Sequence, residues 1–139
     1  MDISQIPLFA MLRGRLGYLT DRQKVIAENV ANSDTPGYAP HDLKPFSIQA
    51  QMQAQAQGSA GTMAVTQPGH MLAPHAKKPG AAKPLTTKDS ETTLDGNSVV
   101  LEEEMLKMGQ ARMDYDAAIG FYQKSLNLIR LAARAPGHG

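Results

Sequence analysis

Apolar residues in the first third of the chain recur with alternating steps of three and four residues. This spacing is typical of the buried seam of a coiled coil, and Gln23 is the only polar residue that interrupts it. Pro7 suits the first turn of a helix, where its missing N–H is tolerated. The pattern predicts an N-terminal helix of roughly 25 residues, about 37 Å long. The members of its seam are Phe9, Leu12, Leu16, Leu19, Gln23, Ile26 and Val30.

The last third of the chain shows the same spacing over a longer run. It predicts a helix of about 35 residues, roughly 52 Å long. Asn97 or Ser98 is expected to cap its start, and Pro136-Gly137 follows its end. The polar seam members Gln23 and Arg112 are expected to cost some stability and to fix register when copies assemble. The members of this second seam are Leu101, Met105, Met108, Arg112, Tyr115, Ile119, Tyr122, Leu126, Ile129 and Ala133.

Each predicted helix needs a partner, because isolated helices of this length are only marginally stable in water. The economical solution pairs the two ends of the chain as an antiparallel coiled coil. The sequence therefore predicts an all-α protein with three parts. Residues 1–39 form the N-terminal helix and a turn, residues 40–97 an irregular middle segment that is partly β or flexible, and residues 98–139 the long C-terminal helix and tail.

The middle segment is rich in Gln, Ala, Gly, Pro and Thr. Its low-complexity run from 49 to 57 is compatible with a helix but has little apolar surface. Short strand-like pieces are expected near 63–65 and 92–94. Residues 67–84 carry four prolines, which favours irregular structure.

Both helices also carry apolar residues outside their seams: Met11, Tyr18 and Val25 on the first, and Leu106, Phe121, Leu128 and Leu131 on the second. A helix that is apolar on more than one face is buried against further elements. In so small a chain, we expect these to be other protein molecules; the alternative is that the middle segment folds back over these faces. The residues predicted to contact neighbouring subunits are Phe9, Met11, Leu12, Leu16, Tyr18, Leu19, Val25, Ile26, Val30, Met105, Met108, Tyr115, Ile119, Phe121, Tyr122, Leu126, Leu128 and Ile129.

Composition excludes several classes of function. The 139 residues have a formal net charge of +1 and no long run of Lys or Arg, which argues against nucleic-acid binding. Because the sequence has no cysteine, disulfides and thiolate metal sites are excluded. No apolar run reaches membrane-spanning length. The N-terminus lacks the pattern of a secretory signal, which predicts a cytoplasmic protein or export without a cleaved signal.

No residues combine into a recognisable catalytic, metal or cofactor site. The histidines His41, His70, His75 and His138 are scattered through turn-rich or terminal regions and are expected to be solvated. Glu102, Glu103 and Glu104 are expected to lie in a solvated first helical turn, where the helix dipole favours anions. We therefore expect no enzyme activity and no cofactor.

The segment from Asn29 to Ala39 predicts a sharp stop of the first helix. Asn32 is a plausible left-handed residue just past the helix end. Pro36-Gly37 suits the centre of a type II turn, because Gly supplies positive φ at the second central position. Tyr38 can then fold back, with an apolar ring and a polar tip.

As ordered strings, three segments resemble a known family. Residues 29–38 are similar to the N-terminal signature of flagellar rod and hook proteins. Residues 94–105 resemble the start of the C-terminal helix in the sister families FlgB and FlgC of proximal rod proteins, and the acidic triplet favours the first of the two. Residues 66–71 resemble a shorter element. The signature residues carried over are Asn29, Ala31, Asn32, Thr35, Pro36, Gly37, Tyr38, Asp95, Gly96, Asn97, Glu102, Glu103 and Glu104.

This resemblance implies a non-enzymatic structural subunit of the proximal rod of the flagellar basal body. The terminal helices would assemble into a helical tube that crosses the periplasm and transmits torque. The implied partners are other copies, adjoining rod proteins, the rod-base adaptor FliE, the membrane ring FliF and the flagellar type III export apparatus. The alternative is a cytoplasmic coiled-coil adaptor or secretion chaperone.

Overall fold

The two long helices dominate the structure, a computed structural model that describes residues 6–59 and 83–134. The N-terminal helix has 25 residues and the C-terminal helix 33, so both predicted helices are confirmed. Within the described residues, no helix combines the length and hydrophobicity needed to cross a membrane. The elements are α1 (Pro7–Ala31), β1 (His41–Leu43), α2 (Ile48–Ser59), β2 (Pro84–Thr86) and α3 (Leu101–Ala133).

Helices α1 and α3 pack side by side as an antiparallel hairpin, as predicted. Near the start of α1, the ring of Phe9 packs edge-on against Tyr122, with the ring centroids 5.2 Å apart. At the other end, the Asn29 side chain donates a hydrogen bond to Glu104 in the first turn of α3. Since the start of each helix meets the end of the other, the helices run in opposite directions.

The middle segment contains a two-stranded antiparallel sheet that the sequence did not predict. Strand β1 pairs with β2 so that His41 lies opposite Thr86 and Leu43 opposite Pro84. The strand expected near 92–94 is wrong: this segment leads into a turn at Gly96, whose φ is +83°. The strand expected near 63–65 lies outside the described residues.

Residues 41–51 fold back along the outer face of α1. The ring of Phe46 lies 5.6 Å from that of Tyr18, and Val25 is buried. The Gln51 side chain reaches α1 beside Gly14 and donates to the Ala10 carbonyl oxygen at 3.5 Å. For α1, the expectation that only other molecules cover this face is therefore wrong, and the middle segment covers much of it.

The seam of α3 is rotated relative to the predicted one. Its buried residues are Glu104, Ala111 and Ala118, which lie seven apart. Of the predicted members, Met108, Tyr115, Ile119, Tyr122, Leu126 and Ile129 are half-buried, whereas Leu101, Met105, Arg112 and Ala133 are exposed. Small side chains let the two helices approach closely, so the larger ones are turned to the flanks of the contact or to the surface.

The same rotation changes which polar residues lie between the helices. Asn29 is buried in α1, while its neighbour Val30, a predicted seam member, is exposed. Arg112 is exposed within the chain, and its role in fixing register in the assembly stays a prediction. Gln23 is half-buried.

Substitution of Ala111 by leucine is expected to lower the free energy of unfolding by about 1–3 kcal/mol, because the fully buried alanine leaves no room for extra methylenes. The matched control is Met105→Ala, at a residue of the predicted seam that is exposed here, with an expected change within about 0.5 kcal/mol. Urea denaturation followed by circular dichroism measures both. A larger loss for Met105→Ala than for Ala111→Leu would contradict the observed seam.

Candidate assembly interface

The first helix ends in a turn built largely as predicted. The Tyr38 amide donates to the Thr35 carbonyl oxygen at 3.2 Å, and Gly37 has φ +71°, as a type II turn requires. The left-handed conformation expected at Asn32 is wrong, since its φ is −104°. Asn32 instead closes the helix with a negative φ, and its amide and its side chain both donate to the Glu28 carbonyl oxygen.

The two signature segments, distant in sequence, are joined through their backbones. The Gly37 amide donates to the Asp95 carbonyl oxygen, and the Ser98 amide to the Tyr38 carbonyl oxygen, both at 3.0 Å. Gly96 approaches so closely that a Cβ atom added to it would stand 3.5 Å from the Gly37 Cα. We call the contact between residues 29–38 and 94–104 the joint.

Asn97 locks the joint from the C-terminal side. Its side chain is buried, and Nδ2 donates to the carbonyl oxygens of Asn32 at 2.9 Å and Thr35 at 2.7 Å. Its Oδ1 accepts from the Val99 amide at 2.8 Å. The expectation that Asn97 or Ser98 caps the second helix is therefore wrong: neither is the capping residue, and Asn97 binds the end of the first helix instead.

Asn29 occupies the centre of the joint and has no exposed surface. Its Nδ2 donates to the His41 carbonyl oxygen at 2.7 Å and to Glu104 Oε2 at 2.9 Å. Its Oδ1 accepts from the His41 amide at 2.9 Å and from the Tyr38 hydroxyl at 3.2 Å. Tyr38 thus folds back as predicted. An asparagine side chain offers two donors and two acceptor positions, so all of its capacity is used.

A buried charge cluster continues the joint into α3. Glu104 Oε1 accepts from Lys107 Nζ, which also donates to Asp89 Oδ1, both at 2.7 Å. Asp89 Oδ2 accepts from the amide of Val100, the residue that precedes α3, at 2.9 Å. Burial by itself lowers the pKa of the Lys107 ammonium group, but the hydrogen bonds that it donates to Asp89 and Glu104 raise it above its ordinary value.

The prediction that the acidic triplet lies in a solvated first turn is wrong for Glu104, which is fully buried. Glu103 is half-buried and accepts a hydrogen bond from the Ser90 hydroxyl, whereas Glu102 is exposed. A glutamate is buried here because Asn29 and Lys107 satisfy both of its oxygens. The rule that buried charges are paired is therefore obeyed.

An ion pair fixes the middle segment to α1. Arg22 binds Asp42 through two parallel hydrogen bonds, Nε to Oδ1 at 3.0 Å and Nη2 to Oδ2 at 2.9 Å. This geometry is the strong, orientation-specific form of such a pair. This ion pair holds β1 against α1. Asp42 follows His41 in the strand, and the Asn29 side chain binds the His41 backbone.

Helix α3 carries several large apolar side chains that are mostly exposed. Leu106 and Met113 lie one heptad apart, as do Phe121 and Leu128, and their exposed fractions range from 58% to 74%. We call Leu106 and Met113 the α3 outer face; Leu131, nearer the end of the helix, is also exposed. The prediction that apolar residues of this helix lie outside the hairpin contact is confirmed. The heptad spacing of Leu106 and Met113 places these two side chains on one side of the helix, and exposed apolar patches mark sites of protein interaction.

Comparisons with known proteins identify the family. The family profile described as flagella basal body rod protein matches residues 13–38. The flagellar basal body rod protein FlgB of Agrobacterium fabrum is 33% identical over 121 residues, which cover 83% of this chain and 84% of that protein. The chain belongs to the FlgB family. FlgB of Aeromonas hydrophila is 29% identical over 127 residues (91% and 92%), and FlgB of Salmonella typhimurium 27% over 105 residues (75% and 76%).

Membership of the FlgB family makes the chain a structural protein of the flagellar basal body rod and not an enzyme, as predicted. The preference for FlgB over its sister family FlgC, which rested on the acidic triplet, is confirmed. The profile match ends at Tyr38 and thus spans most of α1 and the N-terminal half of the joint.

The residues predicted to contact neighbouring FlgB subunits fall into three groups. Phe9, Leu12, Leu19, Val25 and Ile26 are buried within the chain. Val30, Met105, Phe121 and Leu128 are exposed. The remaining members are half-buried: Met11, Leu16, Tyr18, Met108, Tyr115, Ile119, Tyr122, Leu126 and Ile129. Contact of these residues with another subunit stays a prediction.

Of the signature residues, the joint brings together Asn29, Asn32, Gly37, Tyr38 and Asn97 with Glu104. The others lie at the surface around it: Ala31, Thr35, Pro36, Asp95, Gly96 and Glu102 are exposed, and Glu103 is half-buried. Thr35 and Asp95 contribute through backbone carbonyl oxygens.

Sequence reasoning missed Asp89 and Lys107. Lys107 follows Glu104 by three residues, a spacing that places the two side chains on the same helix face. Nothing near Asp89 in the sequence indicates its partner. The expectation of a solvated loop is wrong for His41, which is half-buried in β1 beside the Tyr38 ring; the other histidines lie outside the described residues. Among the described residues, no group of His, Asp and Glu could hold a metal ion.

Proposed function

We propose that this chain is a self-assembling subunit of the proximal rod, in which α1–α3 hairpins of neighbouring copies and adjoining rod proteins pack into a helical tube that transmits torque. The α3 outer face carries this proposal. Fully burying one such leucine or methionine is worth about 1.5–3 kcal/mol. Contacts that do not close into a ring repeat to give a helical array.

The joint supports the torque-transmitting part of the proposal. Torque acts on each subunit, so its two long helices must hold their relative position. The joint ties the end of α1 to the start of α3 through Asn29, Asn97 and two backbone hydrogen bonds. Directional bonds at this end complement the non-directional packing along the seam.

Family membership further supports a rod within the periplasm, reached through the flagellar type III apparatus without a cleaved signal, with FliE, FliF and adjoining rod proteins as partners. Mass spectrometry of the chain recovered from purified basal bodies tests the export route. We expect the mass of the uncleaved chain; loss of an N-terminal segment would contradict it. Cross-linking in the same preparation tests the FliE and FliF contacts.

The alternative of a cytoplasmic adaptor or chaperone makes a different prediction about location. Such a protein would remain in the cytosol after fractionation, whereas a rod subunit sediments with basal bodies. Membership of the FlgB family favours the rod.

The paired substitution Leu106→Gln with Met113→Gln is expected to abolish incorporation into basal bodies and swimming. It should change the free energy of unfolding by less than about 1 kcal/mol, because both side chains are largely exposed. Immunoblotting of purified basal bodies and a soft-agar assay measure assembly, and thermal denaturation measures stability.

The matched control is Gln110→Ala, which shortens an exposed polar side chain of the same helix. It should leave incorporation and swimming unchanged. Normal incorporation of the Leu106 and Met113 variant would contradict assembly through the α3 outer face.

A further inference from the structure

Charge is separated along the hairpin although the whole chain is nearly neutral. The open end comprises the start of α1 and the last turns of α3, residues 6–16 and 116–134. It carries Arg13, Arg15, Lys124, Arg130 and Arg134, and Asp116 is its single acidic residue. The joint end comprises residues 26–38 and 88–107. It carries Glu28, Asp34, Asp89, Glu91, Asp95, Glu102, Glu103 and Glu104, against Lys88 and Lys107.

The last turns of α3 at the open end carry a shallow groove, lined by two leucines, one lysine, two amide side chains and a glycine. Because Phe9 lies against Tyr122 and α1 begins at Pro7, the last turns of α3 extend past the first helical residue of α1. Leu128 and Leu131 are exposed there. They line a groove of about 490 Å³ together with Gly120, Gln123, Lys124 and Asn127.

The joint end presents a leucine that is fully exposed. Leu94 stands at the tip of a turn closed by the Gly96 amide, which donates to the Thr93 carbonyl oxygen at 2.9 Å. The Thr93 hydroxyl donates to the Asp95 carboxylate, and this bond lowers the pKa of Asp95 and keeps it ionised. Glu91, which precedes Leu94 by three residues in the sequence, is also exposed.

We propose that the Leu94 turn of one copy docks in the open-end groove of a second copy, with Glu91 and Asp95 facing Lys124 and Arg130. The proposal rests on the assembly function above and specifies its end-to-end contact. An apolar centre with a polar rim is the usual arrangement of a protein interface. The charges oppose each other only when unlike ends meet, so the contact excludes head-to-head pairing.

This contact repeats in one direction, because each copy offers both a turn and a groove. It is a heterologous contact and generates a linear stack of copies. A single leucine and a few exposed charges bury too little surface to hold two free copies together. The contact therefore becomes stable only alongside lateral packing, and a test on the purified chain needs a covalent trap.

The sequence has no cysteine, so no native thiol competes for disulfide formation when Leu94→Cys and Leu128→Cys are introduced. Both are exposed positions at which a substitution is tolerated. A mixture of the two single variants of the full chain, oxidised at low ionic strength, should form mixed disulfide dimers about tenfold faster than a mixture of Gln110→Cys with Leu128→Cys. The double variant should form a ladder of higher oligomers.

Charge reversal separates electrostatic matching from chance collision. Glu91→Lys in the Leu94→Cys copy, or Lys124→Glu in the Leu128→Cys copy, should each slow the mixed dimer about tenfold, and combining the two should restore it. Circular dichroism confirms that each variant is folded. Mixed dimers no faster than the Gln110 control, or no restoration by the combined reversal, would overturn the proposal.

The experiments can contradict the end-to-end contact and assembly through the α3 outer face independently of each other. Failed cross-linking with loss of incorporation in the Leu106 and Met113 variant contradicts only the end-to-end contact. Successful cross-linking with normal incorporation of that variant supports the end-to-end contact and contradicts assembly through the α3 outer face.

Discussion

Substitution of Asn29 by aspartate is expected to lower the free energy of unfolding by about 3–5 kcal/mol. The substitution keeps the shape of the side chain but replaces its two donors with an anionic oxygen. That oxygen would lie 2.9 Å from Glu104 Oε2, and the His41 carbonyl oxygen would lose its donor. Two buried carboxylates at this distance cannot both remain ionised without a large cost.

The loss should depend on pH in a defined direction. Carboxylates that share a site bind one proton more readily than an isolated carboxylate does, so acidification relieves the repulsion. The destabilisation caused by Asn29→Asp is therefore expected to be larger at pH 8 than at pH 5. Urea denaturation at the two pH values measures it.

Asn32→Asp is the matched control, with the same chemical change three residues along. The Asn32 side chain donates to the Glu28 carbonyl oxygen and accepts from the Thr35 hydroxyl, and both hydrogen bonds are exposed to solvent, so we expect a loss of about 1 kcal/mol or less. Adding Glu104→Gln to Asn29→Asp should recover part of the stability, because the new amide can donate to the new carboxylate. Equal losses for the two aspartate variants, or no recovery, would contradict the role given to Asn29.

Substitution of Lys107 by methionine is expected to lower the free energy of unfolding by about 3–5 kcal/mol, because it removes the cation that binds both members of a buried pair of carboxylates. The side chains of Asp89 and Glu104 are 1% and 0% exposed. Methionine fills a similar volume, so the loss reports charge rather than packing. Thermal or urea denaturation measures it, and Glu104→Gln added to Lys107→Met should recover part of the stability.

The neighbouring Lys88→Met serves as its control. Lys88 is exposed and adjoins Asp89 in sequence, so its replacement should change stability by no more than about 0.5 kcal/mol. A comparable loss for both variants would mean that general charge, rather than the buried pairing, matters at this end of the hairpin.

The raised pKa of Lys107 adds a test at alkaline pH. The folded chain holds this proton more tightly than the unfolded chain does, so the stabilisation is complete below the ordinary lysine pKa of about 10.4. It is lost as the pH rises through the raised pKa of the folded state. The unfolding free energy of the unsubstituted chain should therefore fall more steeply above this pH than that of Lys107→Met.

Sequence periodicity identified the two long helices but not which face of α3 meets α1. Apolar side chains recur at heptad spacing on more than one face of this helix, as Leu106 with Met113 and Phe121 with Leu128 show. Hydrophobicity favours large residues for the seam, whereas close approach of two helices favours small ones such as Ala111 and Ala118. The distance between the two helices depends on the side chains of both, so the periodicity of one helix does not determine it.

The sequence by itself determined the helices, the Pro36-Gly37 turn and the family, because each depends on residues close together in the chain or on an ordered string. Only the tertiary structure decided the burial of Glu104, the pairing of β1 with β2 and the role of Asn97. Those depend on partners 41 to 75 residues away, such as Pro84 for Leu43, Thr35 for Asn97 and Asn29 for Glu104. A carboxylate has the same local sequence whether it is solvated or buried. What decides between the two is whether the fold supplies its hydrogen-bond partners.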